Sequence, residues 1–448
     1  MTASHYAPVR LLGLALSAML IPLGSTMIAV ALPSIGTEFA RAPSELTQWL
    51  VNSYLLISII ALGPCGKIGD HWGYRRTLRL GQWVFGMGCL LPVLLPHFHA
   101  LVASRMLMAL GGALMVPTVM AVIKTTAPPA MHQRIFGYFG AMMSLAAALG
   151  PSLGGLLVQQ FGWVSIFLMN LPPLLLSVVF SIGFFAADGP SKPNAGLRFD
   201  WLGSLLLASS LVLLTLGMKG PSALLIPALV ALAIFVWWQR HTPQPLIDPK
   251  LFAHRAFAAG CAIVALQNLG MYALLFQLPY LLKLLYQWGP GQSGPFMTTF
   301  MFSMMAASAL GGRLVAERYG ARATSVAGSL LSVIGFYWLS SLTPDMSQLH
   351  ILVALVLGGA GLGLANAPSQ AAAMGAVDNR QSGVASGVLS TSRYIGGVAG
   401  ISILSLLFAT PAAAASLAQY QLAIQIFAAS FLAAAVISLR LPGPSKDT

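Results

Sequence analysis

Two arginines, Arg105 and Arg393, fall inside long apolar runs. A cation at membrane depth costs several kcal/mol unless it meets a partner or water, so both are candidate functional groups. The alternative for each is a long side chain that snorkels to the nearer boundary. No acid answers them. All ten carboxylates, Glu38, Glu45, Asp70, Asp188, Asp200, Asp248, Glu317, Asp345, Asp378 and Asp447, lie in connections or at the ends of apolar runs. The eight histidines are peripheral as well. No midplane group is therefore placed to carry a proton at ordinary pH. What remains inside the runs is neutral: Gln267, Asn268, Tyr272 and Gln277 in one, Asn366 in another. Such groups either contact a ligand or hydrogen-bond one helix to the next. Metal or catalytic chemistry finds no support. There is no His-Glu-x-x-His, no acid pair at depth, and Cys65, Cys89 and Cys261 have no ligand or disulfide spacing. No enzyme, cofactor or metal is expected.

The elements that must hold these groups follow from composition. Of 448 residues, 57% are apolar and 7% charged, against about a quarter charged in soluble domains. A mean hydropathy of +0.81 excludes a soluble enzyme or a disordered chain and selects an integral membrane protein. Apolar runs fall near 11–33, 47–66, 78–96, 100–122, 136–158, 163–187, 201–218, 222–239, 256–282, 291–312, 323–342, 349–372, 383–409 and 418–439. Their lengths suit fourteen transmembrane helices; barrel strands would be shorter and alternate in polarity. The net charge of +13 is dispersed over short connections, which argues against nucleic acid as a partner. With a cytoplasmic N-terminus, eighteen basic residues fall inside and three outside. Both termini are therefore expected on the cytoplasmic face. Ala29-Val30-Ala31 resembles a signal cleavage site, but the run around it is long, contains Pro22 and Gly24, and lacks a basic lead, so it reads as a first span.

The runs divide six, two and six. Polar Pro/Gly connections begin at Asp188 and His241. The expected units are an N-terminal six-helix bundle (1–187), a linker carrying two extra helices (188–250) and a C-terminal six-helix bundle (251–448). A repeat supports the two halves. Gly66-Lys-Ile-Gly-Asp70-His-Trp-Gly73-Tyr-Arg75-Arg76 follows the second run of the first half. Gly312-Arg-Leu-Val-Ala-Glu317-Arg318-Tyr-Gly320-Ala-Arg322 follows the second run of the second. Paired half-repeats in a polytopic helical chain are a mark of secondary transporters. Glycines permit a short turn, and an acid among cations can dock and release as the halves rock.

The first copy resembles the signature loop of the major facilitator superfamily, Gly-x-x-x-Asp-x-x-Gly-x-Arg/Lys-Arg/Lys, at Gly66, Asp70, Gly73, Arg75 and Arg76. The resemblance implies the superfamily fold, with pseudo-twofold six-helix halves. It assigns Gly66, Asp70, Gly73, Arg75, Arg76, Glu317 and Arg318 to a conformational latch. Gly150-Pro151-Ser-Leu-Gly154-Gly155 in run 5 is similar to the element associated with the family's exporters; small residues there also permit close helix approach, and the proline a kink. The stretches 49–56, 163–172, 200–203, 245–252 and 392–397 look like the fourteen-span drug:proton antiporter branch, of the multidrug-resistance type. In that branch Arg105 matches a span-4 arginine implicated in proton exchange. The branch also often carries an aspartate in span 1, where this chain has Gly24.

The resemblance thus implies a secondary exporter of small organic or drug-like compounds in a bacterial inner membrane, a monomer in the lipid bilayer, with protons as the candidate coupling ion. Arg105, Gln267, Asn268, Tyr272, Gln277, Asn366 and Arg393 are the expected substrate pathway. The missing carboxylate keeps two alternatives open: a facilitator or exporter of anionic or neutral metabolites without proton coupling, and a transporter-like sensor without flux. Unbalanced arginine favours anionic or neutral ligands over lipophilic cations.

Overall fold

Backbone groups in hydrocarbon have no water to bond, so each apolar run satisfies its own N–H and C=O groups as a helix. The computed structural model describes residues 8–126, 129–182, 200–219, 222–243, 245–311, 315–378, 382–408 and 416–443. Fourteen helical segments follow in order. They are α1 (Pro8–Phe39), α2 (Pro43–Leu46, Thr47–Asn52 and Ser53–Trp72 end to end), α3 (Tyr74–Leu94), α4 (Phe98–Thr126), α5 (Pro129–Phe161), α6 (Ser165–Leu168 and Leu171–Ile182) and α7 (Trp201–Lys219). Then come α8 (Leu225–His241), α9 (Arg255–Tyr286), α10 (Pro290–Leu310), α11 (Ala316–Ser340), α12 (Gln348–Gly375), α13 (Ser382–Leu407) and α14 (Leu417–Ser438). Among the described residues, nine are long and apolar enough to cross a membrane by length and composition, and α6, α7 and α8 are shorter apolar helices.

The helix pairings of α1–α6 recur in α9–α14. In the first set α3 packs on α4, α2 on α4, α3 on α6, and α1 on α4, α5 and α6. In the second set α11 packs on α12, α10 on α12, α11 on α14, and α9 on α12, α13 and α14. Helices in equivalent positions also join the two sets, α2 with α13 and α5 with α10. The backbone repeats too. Gly73 ends α2 with φ 86°, and Gly320, its counterpart in the repeat, breaks α11 with φ 79°. A side chain would be strained at either φ, so these two glycines are needed for the turn itself. The expected short loop is thus smaller still than its sequence motif suggests. Gly66 to Trp72 continue α2 as helix, and the chain reverses at Gly73 alone.

Both joints between the sets are closed at one end. On the α5–α10 joint, the Ser152 hydroxyl donates to Thr298 Oγ1 at 2.7 Å and the Ser152 N–H donates to the same oxygen at 3.1 Å. A Cβ on Gly155 would stand 2.3 Å from the Pro290 carbonyl oxygen, and one on Gly294 2.5 Å from that of Pro151. On the α2–α13 joint, Asn52 Nδ2 donates to Ser402 Oγ at 3.2 Å and the Ser405 hydroxyl to the Ser44 carbonyl at 3.3 Å. All these contacts involve the start of α2 and α10 and the end of α5 and α13. At the other end of the bundle Gly137 and Gly140 of α5 and Gly387 of α13 face open space. That other end also holds the chain after α14, where Arg322 Nε donates to the Leu441 carbonyl at 2.7 Å.

The extra pair α7 and α8 pack on each other, and α7 lies against α2 and α13. One buried carboxylate organises the pair. Asp200 Oδ1 accepts the Gly203 N–H and the Trp238 indole N–H, both at 2.8 Å, and Oδ2 accepts Gln239 Nε2 at 2.6 Å. Gln239 Oε1 in turn accepts the Ile247 N–H at 3.0 Å. Asp200 so caps α7, ties it to α8, and through Gln239 fixes the path toward α9. The connection beginning at Asp188 lies outside the described residues.

Candidate functional site

Arg105 does not snorkel. Its side chain is 1% exposed, and its partners come from two other helices. The sequence Thr47–Asn52 forms a π-helical turn, a departure from the α-helix that is frequent at functional sites. Within it, Leu50 O accepts Arg105 Nε at 3.2 Å. On α1, Gly24 O accepts Arg105 Nη1 at 3.2 Å. On α2, one turn beyond Leu50, the Tyr54 ring lies 4.3 Å from the guanidinium carbon, a cation–π distance. The cation is held by dipoles and a π face, with no acid among these contacts, and it ties α1, α2 and α4 together. Gly24 is tightly placed: a Cβ there would stand 3.2 Å from Met108 Cε and 3.5 Å from Asn170 Oδ1. Tyr54 and the two carbonyls were not legible as partners, because every residue carries a carbonyl and no residue type announces the π turn that holds Leu50.

In the second set of helices a chain of amides begins at Arg393. Its Nη2 donates to Gln370 Oε1 at 3.0 Å. Gln370 Nε2 donates to Asn366 Oδ1, and Asn366 Nδ2 donates to Gln267 Oε1 at 3.0 Å. The chain joins α13, α12 and α9. Of the residues expected on the substrate pathway it gathers Gln267, Asn366 and Arg393, and adds Gln370, which lies one turn beyond Asn366 on the same face. Arg393 bonds this chain, whereas snorkelling was the alternative. Tyr272 packs beside it, 3.1 Å from where a Cβ of Gly397 would stand, and stacks on Phe276 at 6.2 Å.

Two expected members separate from this group. Asn268 turns back on its own helix, with Nδ2 donating to Val264 O at 2.8 Å. Gln277 lies ten residues further along α9, roughly 15 Å away at the helical rise. Its Nε2 donates to Tyr420 O at 2.9 Å, beside a small cavity lined by Ser44, Thr47, Tyr280 and Phe408. Sharing one apolar run put them together in sequence; helical rotation and distance part them.

The candidate exporter element serves two neighbours. A Cβ on Gly150 would collide with Thr26 Oγ1 at 2.0 Å, and one on Gly154 would stand 3.1 Å from Met27 Cα, so these two seat α5 on α1. Pro151 and Gly155 face α10 instead. In the candidate latch, Arg75, Arg76, Glu317 and Arg318 are exposed, and the Arg318 guanidinium lies 5.5 Å from the Tyr319 ring. Gly312 and the Asp70 side chain lie outside what is described. Among the described residues no group of histidine, cysteine and acid is arranged to hold a metal.

The family model described as Major Facilitator Superfamily matches residues 14–401, and again 260–447. The chain belongs to the major facilitator superfamily. Within it, the chain is 32% identical to an uncharacterised MFS-type transporter, YvkA of Bacillus subtilis, over 89% of this chain and 90% of that protein. It is 30% identical to the multidrug resistance protein Stp of Mycobacterium tuberculosis, over 90% of this chain and 76% of that one. It is 28% identical to the riboflavin transporter RibZ of Clostridioides difficile, over 86% and 85% of the two chains. Among solved structures, the POT family transporter PepTSo aligns over 96% of both chains with a TM-score of 0.70 at 15% identity, a likeness of fold. The superfamily's members named here are transporters, and the chain is a multi-span membrane transporter of that fold.

Proposed function

We propose that this transporter is a secondary exporter of small organic, drug-like compounds, working by alternating access. Residues 1–187 and 251–448 act as two rocking six-helix bundles, and 188–250 as a linker with two helices. All fourteen helical segments span the bilayer of a bacterial inner membrane, and both termini are cytoplasmic, so the end away from the cross-joint hydrogen bonds is the one that opens to the cytoplasm. The observation that carries the reading is the pair of joints, α5 on α10 and α2 on α13, formed by equivalent helices, whose cross-joint hydrogen bonds among the described residues gather at one end. Relatives named for multidrug resistance support export. Gly66, Asp70, Gly73, Arg75, Arg76, Glu317 and Arg318 form the latch on the cytoplasmic side, where the two glycine breaks recur. The protein acts as a monomer.

A second reading is favoured by one observation. Position 24 is glycine and the contacts of Arg105 are carbonyls and a ring, so transport runs without a buried carboxylate relay and need not be driven by protons. Efflux from energised cells, with and without a protonophore, separates the two. Collapse on adding the protonophore supports antiport; persistence down a gradient supports facilitation; absence of flux with every compound overturns both in favour of a ligand sensor.

A further inference from the structure

The amide chain has a direction, and the direction is set by its cation. A guanidinium only donates, so Gln370 must present its oxygen to Arg393. Gln370 then has its N–H₂ free for Asn366 Oδ1, and Asn366 has its own for Gln267 Oε1. Each amide accepts on one side and donates on the other. The last donor, Gln267 Nε2, is buried and has no hydrogen-bond partner, in a side chain 1% exposed. A buried amide donor left unmet is costly, and bonded chains in a low dielectric polarise one another. The positive charge at Arg393 thereby makes the terminal N–H a better donor than an isolated glutamine.

We infer that Gln267 Nε2 is a ligand-binding donor, which recognises a carbonyl or carboxylate oxygen of the transported compound and discriminates against cations that carry no acceptor. The inference rests on the exporter reading for the word "transported", but not for the binding itself. An acceptor oxygen satisfies the unmet donor and is drawn by the polarity of the chain. A cation meets a donor and the like charge of Arg393 behind it, and both contacts oppose it. Asn366, half-buried, and Gln370 act on the ligand through Gln267, as positioning residues, and Arg393 as the charge that orients them.

The test uses the full-length protein in lipid nanodiscs, with two fluorescent probes. Riboflavin is neutral and carries ring carbonyls; ethidium is a cation without an acceptor oxygen. Gln267→Glu keeps an oxygen for Asn366 and the shape of the side chain, but replaces the terminal donor by an acceptor. Wild type is expected to bind riboflavin more tightly than ethidium. Gln267→Glu is expected to lose about tenfold or more in riboflavin affinity, as for a hydrogen bond of charge-assisted strength, and to gain in ethidium affinity. Gln370→Leu, which severs the chain from its cation but keeps the charge, is expected to weaken riboflavin severalfold and leave ethidium unchanged; Arg393→Gln is expected to weaken riboflavin likewise and, with the like charge gone, to gain in ethidium affinity. Thermal unfolding of each variant separates lost binding from lost fold, and Gln267→Met, expected to lose riboflavin without gaining ethidium, replaces Gln267→Glu if that variant does not fold. No riboflavin binding by the wild type, equal changes for both probes in the Gln267 variant, or unchanged riboflavin binding in Gln370→Leu overturns the inference. Because binding is read without flux, the switch in probe preference stands even if no efflux is found. Efflux together with an unchanged preference defeats this site and leaves the exporter reading intact.

Discussion

Ser152 on α5 and Thr298 on α10 meet hydroxyl to hydroxyl at 2.7 Å across the two halves of the chain. The Thr298 oxygen also takes the Ser152 N–H. Each such bond contributes only about 0.5–1.5 kcal/mol net, so the contact can mark a closed end without locking it. The double variant Ser152→Cys/Thr298→Cys should change that. The native cysteines are buried, so oxidation should join the new pair and cut efflux about tenfold or more, with full recovery on adding reductant. Efflux that continues through the cross-linked protein contradicts rocking at this joint.

A glycine on the same joint gives a steric version of the experiment. A Cβ on Gly155 meets a backbone oxygen, Pro290 O, which cannot swing aside. Gly155→Leu is predicted to hold α5 away from α10 and reduce transport at least tenfold, while expression and monodispersity are kept. Gly137→Ala is the control. Nothing lies within 4 Å of its added Cβ, and alanine improves helix propensity by up to about 1 kcal/mol. Transport by this control should match wild type, and equal loss in both variants counts against a specific joint.

Arg105 is predicted to matter for stability and selectivity together. Arg105→Ala leaves the Leu50 and Gly24 carbonyls and the Tyr54 face without their cation, against which stands relief from a buried charge. The expected net cost is about 1–3 kcal/mol, read as a lower melting temperature in detergent. Lysine carries one compact charge and cannot spread over both carbonyls and the ring as the planar fork does, so Arg105→Lys should fall between. Removing the charge should also raise export of a cationic dye relative to a neutral compound. Identical dye export by wild type and Arg105→Ala removes the electrostatic part of the account.

Asp200 should be the weak point of the extra helix pair. Asp200→Asn turns one acceptor into a donor facing the Gln239 amide, at a cost of about 1–3 kcal/mol. Asp200→Ala also removes the cap of α7, typically worth about 1 kcal/mol. Hydrogen exchange should accelerate in α7 and α8 and stay unchanged in α1 and α5. Uniform acceleration along the chain means that Asp200 supports the whole fold and not the pair.

Much of the helix order could be read from the amino acids, because burial in hydrocarbon forces every long apolar run into a helix. The expected run at 291–312 became Pro290–Leu310, and that at 418–439 became Leu417–Ser438. The repeat around Gly73 and Gly320 was legible for a physical reason: positive φ selects glycine at both. Partners were harder. Arg105 stood out as a cation at depth, yet its acceptors are main-chain carbonyls, which every residue carries. Gln370 looked like any polar residue near a helix end until Asn366, one turn away, gave it a neighbour. Gln277 and Gln267 share a run but not a place, since ten residues of helix separate their surroundings. Asp200 lay at the start of a run, and the convergence of Trp238 and Gln239 on it depends on how α7 and α8 fold back together.

The central claim, that two halves rock about a shared site, is tested most directly by two distances in one protein. Spin labels at exposed Phe161 and Gln292 report the closed end of the α5–α10 joint, and labels at exposed Tyr138 and Leu310 report its open end. On adding a transported compound to the protein in nanodiscs, the account predicts that a population appears in which the first distance lengthens and the second shortens. Distances that stay fixed, or that lengthen together, contradict it.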